Sequence, residues 1–211
     1  MSQDRYETEQ EAFWAGSFGA EYIERNRDPQ LRASNIHLFS EILAHTRGVR
    51  SFFEVGANIG LNIEALNQLC PGRETSALEL NPKAFDILKN KCTGKTWQGS
   101  ILDLKTAELP EFDFVFTKGV LIHIHPEKLP LVYEKLHALS SKYICLIEYY
   151  NPTPVALEYR GFQDRLFKRD FAGELLTAFP DLKLLSYGFK YRRDNNFSQG
   201  DLNWFLMEKE R

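Results

Sequence analysis

The stretch FFEVGANIGLN, residues 52–62, sets an acid and two glycines between an apolar run and a helical pattern. Strand–turn–helix segments of this kind hold nucleotides, and a dinucleotide-binding turn has glycines at its first, third and sixth positions. Those positions are occupied here by Gly56, Asn58 and Leu61. Two of the three glycines are absent and Glu54 precedes the turn, so the loop departs from the diphosphate-binding pattern.

The remaining residues of the loop still suit a ligand. Gly56 permits a turn that a Cβ would obstruct, Asn58 is among the few non-glycine residues that tolerate positive φ, and Gly60 lets the next helix pack closely. A second acid, Glu79, ends the second predicted strand. A carboxylate there accepts hydrogen bonds from both hydroxyls of a ribose. The combination indicates a nucleoside without a diphosphate.

A polar and aromatic run, Glu148 to Asn151, ends the strand predicted at 143–148. Glu148 closes an apolar strand, where a buried carboxyl is costly without a partner. Tyr149 and Tyr150 then enter the cleft, and their aromatic faces would attract a cation. These four residues are the first catalytic candidates. The alternative is that the aromatic rings only pack under the C-terminal loop.

His123 is a further candidate, because it lies in the loop after the fourth predicted strand and faces the same cleft. The interpretations left open are a role in the site and a purely structural one. His125 precedes Pro126 and is expected to be a surface or capping residue. No third ligand accompanies the pair at metal-like spacing, so no metal site is predicted.

The densest charge cluster in the chain begins at Arg160 and includes Arg165. Arginines beside Tyr159, in a segment over the predicted cleft, would suit a carboxylate of the substrate. These three residues are the candidate substrate-binding group. The alternative is a solvated helix face.

The elements that position these residues follow from hydrophobic periodicity. Strands are predicted at 51–55, 75–80, 96–98, 112–117 and 143–148, and helices near 60–69, 82–91 and 127–140. This alternation implies right-handed crossovers and a parallel sheet. Two further strands, 183–191 and 203–209, are joined by a polar segment too short for a crossover helix, so we expect them to be antiparallel.

The predicted fold class is therefore α/β: a Rossmann-like seven-stranded, mostly parallel sheet with an antiparallel last strand, plus an N-terminal helical cap. Residues 1–48 form the cap and 49–211 the ligand-binding domain, in one compact unit. Residues 151–179 are interpreted as a proline-started loop and a charged helical stretch. From the cap, Trp14, Tyr22 and Arg25 could close over the cleft and exclude water.

Bulk properties limit the partners. The net charge of -3 and the pI near 6.0 argue against a dedicated nucleic-acid surface. No apolar run approaches the roughly 18 residues of a membrane span, and the polar, acidic N-terminus does not resemble a secretory signal. The three cysteines are widely separated, which fits a reducing cytoplasm. We expect a cytoplasmic protein with a small-molecule substrate; the oligomeric state is not indicated.

The pattern E-x-G-x-N-x-G, an acid ending the second strand and the following QGSILD resemble the class I S-adenosylmethionine (SAM)-dependent methyltransferases. The segments TKGVLIHIHPEKLP, IEYYNPTPVALEYRG and RDNNFSQGDLNWFLMEK are similar to methyltransferase-like proteins associated with pseudaminic acid biosynthesis. The resemblance covers most of the chain. It departs from the usual class I pattern at Asn58, where a glycine is usual, and at Ser100, where an acid is usual.

The resemblance implies SAM as the cofactor. Its methionine part would lie along the loop and its ribose on Glu79. The residues implied in cofactor binding are Trp14, Arg25, Glu54, Gly56, Asn58, Gly60, Glu79, Leu80, Ser100, Ile101, Leu102, Lys118, Gly119 and Val120. Of these, Leu80 and residues 100–102 would flank the adenine, and residues 118–120 would lie beneath the sulfonium.

Three functions follow from this resemblance. The first is methyl transfer to a small polar metabolite, such as a sugar or a nonulosonic acid. The second is a SAM-consuming cyclase, in which the amino nitrogen of the methionine part attacks its γ-carbon, expels methylthioadenosine and closes azetidine-2-carboxylate. The third is a SAM-binding accessory protein without chemistry.

Overall fold

The computed structural model describes residues 6–26 and 28–210, without the side chains of Arg25, Gln163 and Asp164. Three helices come first: α1 (Glu9–Ala15), α2 (Ser17–Arg25) and α3 (Pro29–Leu43). Helix α1 begins with a capping box, in which the side chains of Thr8 and Glu11 each bond the backbone N–H of the other. Asp28 caps α3, and Pro29 occupies its first position, where no N–H is needed. The N-terminal part is therefore helical, as the sequence predicts.

A seven-stranded sheet forms the centre of the molecule. Its strands are β1 (Ser51–Val55), β2 (Glu74–Glu79), β3 (Thr96–Gln98), β4 (Phe112–Lys118), β5 (Ser140–Glu148), β8 (Leu182–Lys190) and β9 (Leu202–Lys209). They lie in the order β3-β2-β1-β4-β5-β9-β8; β1 to β5 pair in parallel, and β9 runs antiparallel to both β5 and β8. The helices between them are α4 (Leu61–Leu69), α5 (Pro82–Leu88), α6 (Leu129–Leu139) and α7 (Phe171–Ala178). The predicted mostly parallel sheet with an antiparallel last strand is confirmed.

Apolar layers cover both faces of the sheet. On one face, Phe39 of α3 packs edge-on against Phe116, with ring centroids 5.2 Å apart. On the other face, Val132 and Leu136 of α6 pack with Phe53 in the larger buried cluster. Helix α3 thus packs against one face of the sheet and forms part of the hydrophobic core. Helices α1 and α2 line the cavity described below, and a separate cap over residues 1–48 stays a prediction.

Residues 155–168 form a β-hairpin, so the charged helical stretch predicted there is wrong. Strand β6 (Val155–Tyr159) pairs antiparallel with β7 (Phe162–Lys168) outside the main sheet. Arg160 and Gly161 connect them with φ of 53° and 86°, the two positive values that a two-residue type I′ turn requires. Apolar side chains alternate along β6 with the period of a strand. Of residues 151–179, only those of α7 form a helix.

No helix in the described part of the chain is long and apolar enough to cross a membrane.

Candidate functional site

A cavity of about 360 Å³ lies at the carboxyl ends of β1, β2 and β4. Helices α1 and α2 and the hairpin strand β6 contribute its other walls. Ligands of open α/β sheets bind at this edge. Of the residues singled out in the sequence, the cavity is lined by Trp14, Gly56, Asn58, Glu79, Leu80, Ser100, Ile101, Lys118, Gly119, Val120, His123, Tyr149 and Tyr159.

The loop after β1 owes its shape to positive φ angles. Gly56, Asn58 and Gly60 have φ of 72°, 48° and 78°. A Cβ on Gly56 would lie 2.6 Å from Cγ2 of Val120, and one on Gly60 would lie 2.9 Å from Cδ1 of Leu88. Gly56 therefore allows the loop to approach β4, and Gly60 allows α5 to pack beneath the start of α4. Gly60 itself does not line the cavity.

Glu79 is held at the cavity wall by backbone groups. Its Oε2 accepts from the N–H of Asn58 at 2.7 Å and its Oε1 accepts from the N–H of Asn81 at 2.6 Å. Burial raises the pKa of this carboxyl, while the same N–H groups oppose the rise. Each carboxylate oxygen has a second lone pair. The carboxylate is thus fixed in position with accepting capacity left for ligand hydroxyls.

Lys118 is the cation among the described residues that line the cavity. Its Nζ donates to Oδ1 of Asn35 at 2.7 Å, and the same oxygen accepts from Nε2 of Gln199 at 3.0 Å. Burial lowers the pKa of Lys118 to about 8, and the negative charge of Glu54 opposes that change. The ammonium group is therefore mostly protonated at neutral pH and available to an anionic group.

Glu54 lies behind the loop and does not line the cavity. Its side chain is 1% exposed, and its Oε1 accepts from Nδ2 of Asn62 at 2.5 Å. Burial raises its pKa to about 8. The sequence identified the acid but not its place: Glu54 is buried behind the loop and bonds Asn62 of α4.

Aromatic side chains form part of the cavity wall. The indole of Trp14 lies 4.6 Å from the ring of His123 and 5.4 Å from that of Tyr22, centroid to centroid. The His123 ring lies 5.0 Å from Tyr159 of the hairpin. Residues distant in sequence therefore form one aromatic wall.

The protonation state of His123 follows from its contacts. Its Nδ1 lies 2.6 Å from the backbone oxygen of Arg165. A carbonyl oxygen can only accept, so Nδ1 carries the hydrogen and Nε2 is left as an acceptor. Burial lowers the pKa of His123 to about 4. The imidazole is neutral at pH 7 and acts as a hydrogen-bond acceptor toward the cavity.

Glu148 stands beneath the wall and does not line the cavity. Its Oε1 accepts from Oγ1 of Thr117 at 2.9 Å and from the N–H groups of Val120 and Leu121 at 3.0 and 3.1 Å. Burial raises its pKa to about 7. The carboxyl holds the loop after β4, which carries Val120 and His123 to the cavity.

The remaining catalytic candidates are not brought to the cavity. Tyr150 is 39% exposed, with its ring 5.8 Å from that of Phe205. Asn151 donates from Nδ2 to the backbone oxygen of Thr153. Of the run after β5, Tyr149 alone lines the cavity.

The arginine candidates also lie outside the cavity wall. Arg160 is at the exposed hairpin turn, with its guanidinium 5.6 Å from the ring centroid of Tyr159. Arg165 pairs through its Nη2 with Glu9 at 2.9 Å and lies 5.8 Å from the ring of Phe13. Arg165 therefore fastens the hairpin to α1.

Two cofactor candidates need separate mention. Leu102 is buried in the main apolar cluster and is not part of the cavity wall. Arg25 ends α2, but its side chain lies outside the described residues.

Polar residues of the wall that the sequence analysis did not identify are Gln10, Glu11, Asn26, Asn35, Asn62, Asn81 and Gln199. Most of them come from the N-terminal helices or from the segment before β9, which the fold brings over the strand ends. The capping box at Thr8 and Glu11 was a local signal for the start of α1, but it gives no indication that Glu11 would reach a cavity.

No protein-family model matches the chain, and no curated protein sequence matches it significantly. Solved structures share its fold. Magnesium protoporphyrin IX methyltransferase from Synechocystis PCC 6803 with bound S-adenosylhomocysteine (SAH) superposes with a TM-score of 0.66 at 14% identity, covering 95% of this chain and 98% of that one. The 1,6-didemethyltoxoflavin-N1-methyltransferase of Burkholderia thailandensis, with bound 1,6-didemethyltoxoflavin and SAH, gives a TM-score of 0.70 at 14% identity, covering 95% of this chain and 87% of that one. A SAM-dependent methyltransferase of Leishmania major gives 0.71 at 14% identity, covering 94% and 81%. The fold is that of the class I SAM-dependent methyltransferases.

Proposed function

We propose that the cavity binds SAM and that the chain is a SAM-dependent methyltransferase acting on a small polar metabolite. The observation that carries the proposal is the carboxylate of Glu79, fixed beside the positive-φ loop at Asn58 in a cavity at the strand ends. The shared fold with proteins crystallised with SAM or SAH adds support. A cytoplasmic location, in keeping with the sparse cysteines, belongs to the same proposal.

The wall offers a partner for each part of SAM. Glu79 would accept from the ribose hydroxyls, and the Gly56–Asn58 loop would follow the methionine part. Lys118, oriented by Asn35, would meet the carboxylate of that part. Leu80 and Ile101 are apolar residues of the wall that would flank the adenine. The residues present therefore fit the group.

SAM supplies a methyl group that its positively charged sulfur already activates. The work left to the chain is to position the acceptor and exclude water. Tyr149 and Tyr159 line the cavity with aromatic rings, which stabilise a nearby cation. The acceptor nitrogen of His123 can orient a hydroxyl, although a pKa of about 4 makes it a weak base.

The acceptor is proposed to be a sugar or a nonulosonic acid, in line with the resemblance of the sequence motifs. Uncharged hydrogen-bonding side chains of Asn26, Asn62 and Gln199 line the cavity and match a hydroxyl-rich ligand. Arg165, the residue first considered for a substrate carboxylate, is engaged with Glu9. Tyr149 is the residue best placed to act on the acceptor.

A second candidate, the SAM-consuming cyclase, is favoured by the size of the cavity. Its volume of about 360 Å³ lies near the lower end of the roughly 300–1,000 Å³ typical of ligand pockets. SAM alone would occupy much of it, and the rings of His123 and Tyr159 could bend the methionine chain. The amino nitrogen would then form a bond to the γ-carbon as the bond from that carbon to sulfur breaks. Methylthioadenosine and azetidine-2-carboxylate are the products, and one proton is released.

Incubation of the purified protein with SAM alone, analysed by mass spectrometry, separates the candidates. Methylthioadenosine with a mass matching azetidine-2-carboxylate would establish the cyclase. Intact SAM, with binding seen by calorimetry, favours methyl transfer and leads to an acceptor screen scored by SAH release. Binding without turnover of any acceptor would point to an accessory protein. Absence of binding would overturn all three.

A further inference from the structure

We propose that Glu11 and Trp14 of helix α1 recognise the amino-substituted edge of the adenine, and so select a 6-aminopurine. The inference rests on the proposed SAM function and names residues of that site which the sequence motifs do not contain. It assigns to the N-terminal helix the role that an acid after the third strand would otherwise have.

Glu11 presents an unused acceptor in the cavity. Its side chain is 4% exposed and lines the cavity wall. Oε2 accepts from the N–H and the Oγ1 of Thr8 at 2.8 and 3.1 Å, whereas Oε1 is buried with no partner among the described residues. A buried acceptor left unsatisfied costs about 1–3 kcal/mol, and more when charged. A donor on a bound ligand would remove that cost.

Trp14 presents an unused donor beside it. Its Nε1 is also buried without a partner in the described part of the chain. The indole is held edge-on between Phe18 and Tyr22, with centroid distances of 5.4 Å to each. Residues three apart on a helix share a face, so Glu11 and Trp14 offer one acceptor and one donor from the same side of α1.

The position of α1 sets this pair near the adenine end of the cavity. The backbone oxygen of Trp14 accepts from Nδ2 of Asn81 at 3.0 Å, two residues beyond the proposed ribose acid. At the start of the helix, Glu7 pairs with Lys128. Lys135 donates to the backbone oxygen of Leu102, in the loop after β3. Burial lowers the pKa of Lys135, while the negative charges of Asp103 and Glu7 both raise it, so Glu7 lies near that loop. Helix α1 therefore runs between the end of β2 and the loop after β3.

No other acid of the described cavity wall is free for an exocyclic amine. Asp103 is exposed and is not part of the wall. The hydroxyl of Ser100, at the position where an acid is usual, accepts from the N–H of Leu102 at 3.0 Å. Glu79 is the other wall carboxylate, and the accepting capacity left beside its two backbone N–H partners is assigned to the ribose hydroxyls. The acceptor for the amine is therefore Glu11.

The chemistry discriminates between purines. Adenine carries an N6 amino donor next to ring-nitrogen acceptors, which complements an acceptor from Glu11 and a donor from Trp14. Hypoxanthine has an oxygen in place of that amine, so its lone pairs would face the carboxylate. A site built to bond one group rejects an analogue that leaves its polar atoms unpaired.

Calorimetric titration with SAH and S-inosylhomocysteine tests the proposal. We expect the wild-type protein to bind SAH at least about 30-fold more tightly than S-inosylhomocysteine. The variant Glu11→Gln keeps the capping box, since glutamine serves at that position. The glutamine amide can also donate to the 6-oxo group of S-inosylhomocysteine. The affinities of the variant for SAH and S-inosylhomocysteine should therefore lie within about threefold of each other. Trp14→Phe should weaken SAH binding by about fivefold to tenfold while keeping the aromatic ring.

Two controls separate recognition from structure. Glu21→Gln changes an exposed acid on the neighbouring helix α2, and Thr8→Ser keeps the hydroxyl that caps α1 and bonds Oε2 of Glu11. Both should keep the wild-type preference. An unchanged preference in Glu11→Gln, or equal wild-type affinity for the two ligands, would overturn this inference alone. Absence of SAH binding to the wild-type protein would overturn the proposed function together with it.

Discussion

The carboxylate of Glu79 and the backbone N–H of Asn58 are joined by a 2.7 Å hydrogen bond across two neighbouring strands. The bond ties the acid at the end of β2 to the loop after β1. Asn58 adopts a φ of 48° and Gly56 one of 72°. The proposed ribose site and the proposed methionine site are thus joined by a direct hydrogen bond.

The first prediction concerns this loop. Gly56→Ala should destabilise the protein by about 3 kcal/mol, because a left-handed φ costs an L-residue about 1–2 kcal/mol and the clash with Val120 adds to it. Gly72→Ala is the matched control: its φ is 77°, but nothing lies within 4 Å of the added Cβ. Gly72→Ala should lose only the stability that the left-handed φ costs an L-residue. Urea unfolding of the two variants measures the difference, and equal losses would mean that close approach to Val120 is unimportant.

The second prediction concerns Tyr149. No hydrogen bond holds its hydroxyl within residues 6–26 and 28–210, and Gly200 leaves room for it, since a Cβ there would lie 2.8 Å away. Tyr149→Phe should therefore keep SAH affinity within about twofold and lower turnover of SAM at least about tenfold. Tyr150→Phe, beside it but outside the cavity, should change neither quantity. A parallel loss of affinity and turnover in Tyr149→Phe would show that the hydroxyl serves the cofactor.

The third prediction is a pH dependence of binding. The pKa of Lys118 is lowered by burial to about 8, so its ammonium group persists below that pH and is lost above it. SAH affinity should be level at neutral pH and fall by up to tenfold per pH unit above about 8. Lys118→Met should bind SAH more weakly, and its SAH affinity should lack the decrease above about pH 8 that loss of the ammonium charge causes. Methylthioadenosine has no carboxylate and should show no such dependence; the same pH profile for both ligands would contradict the assignment.

The fourth prediction is a pH dependence of stability through His123. Burial lowers its folded-state pKa to about 4, below the unfolded value near 6.5. The unfolded state therefore binds the proton more readily, and stability present above about pH 6.5 is lost as pH falls toward 4. The loss amounts to about 3 kcal/mol.

His123→Gln is the matched variant, because it cannot titrate. Its free energy of unfolding should lie below that of the wild type at about pH 7.5, and the gap should narrow by about 3 kcal/mol at pH 4. Glu54 and Glu148 titrate in both proteins and cancel in the difference. Parallel curves from urea titrations would show that His123 is not buried as a neutral imidazole.

The main sheet could be predicted from sequence because its signals are local. Buried strands such as Ser51–Val55 appear in the sequence as apolar runs. Few residue types other than glycine and asparagine adopt the left-handed φ found at Gly56 and Asn58. Glu79 was identified because an acid ending a strand is conspicuous. These features depend on a few neighbouring residues.

Other features depend on long-range packing. The hairpin was missed because the charged run from Arg160 to Asp170 suggested a solvated helix face, although the alternation of Val155, Leu157 and Tyr159 was a usable strand signal. Glu148 and Glu54 were placed among site residues, yet neither lines the cavity: Glu148 bonds the loop after β4 and Glu54 bonds Asn62 of α4. Glu11 went unnoticed because its role depends on where α1 lies in the fold.

The most direct test of the account is calorimetric titration of SAH into the wild-type protein and Glu79→Ala, with Glu74→Gln at the opposite, exposed end of β2 as the control. The account predicts one site per chain, an affinity about 10- to 100-fold weaker in Glu79→Ala, and no change in Glu74→Gln. Absence of SAH binding to the wild-type protein, or equal affinity in wild type and Glu79→Ala, would contradict the proposal that this cavity is a SAM site.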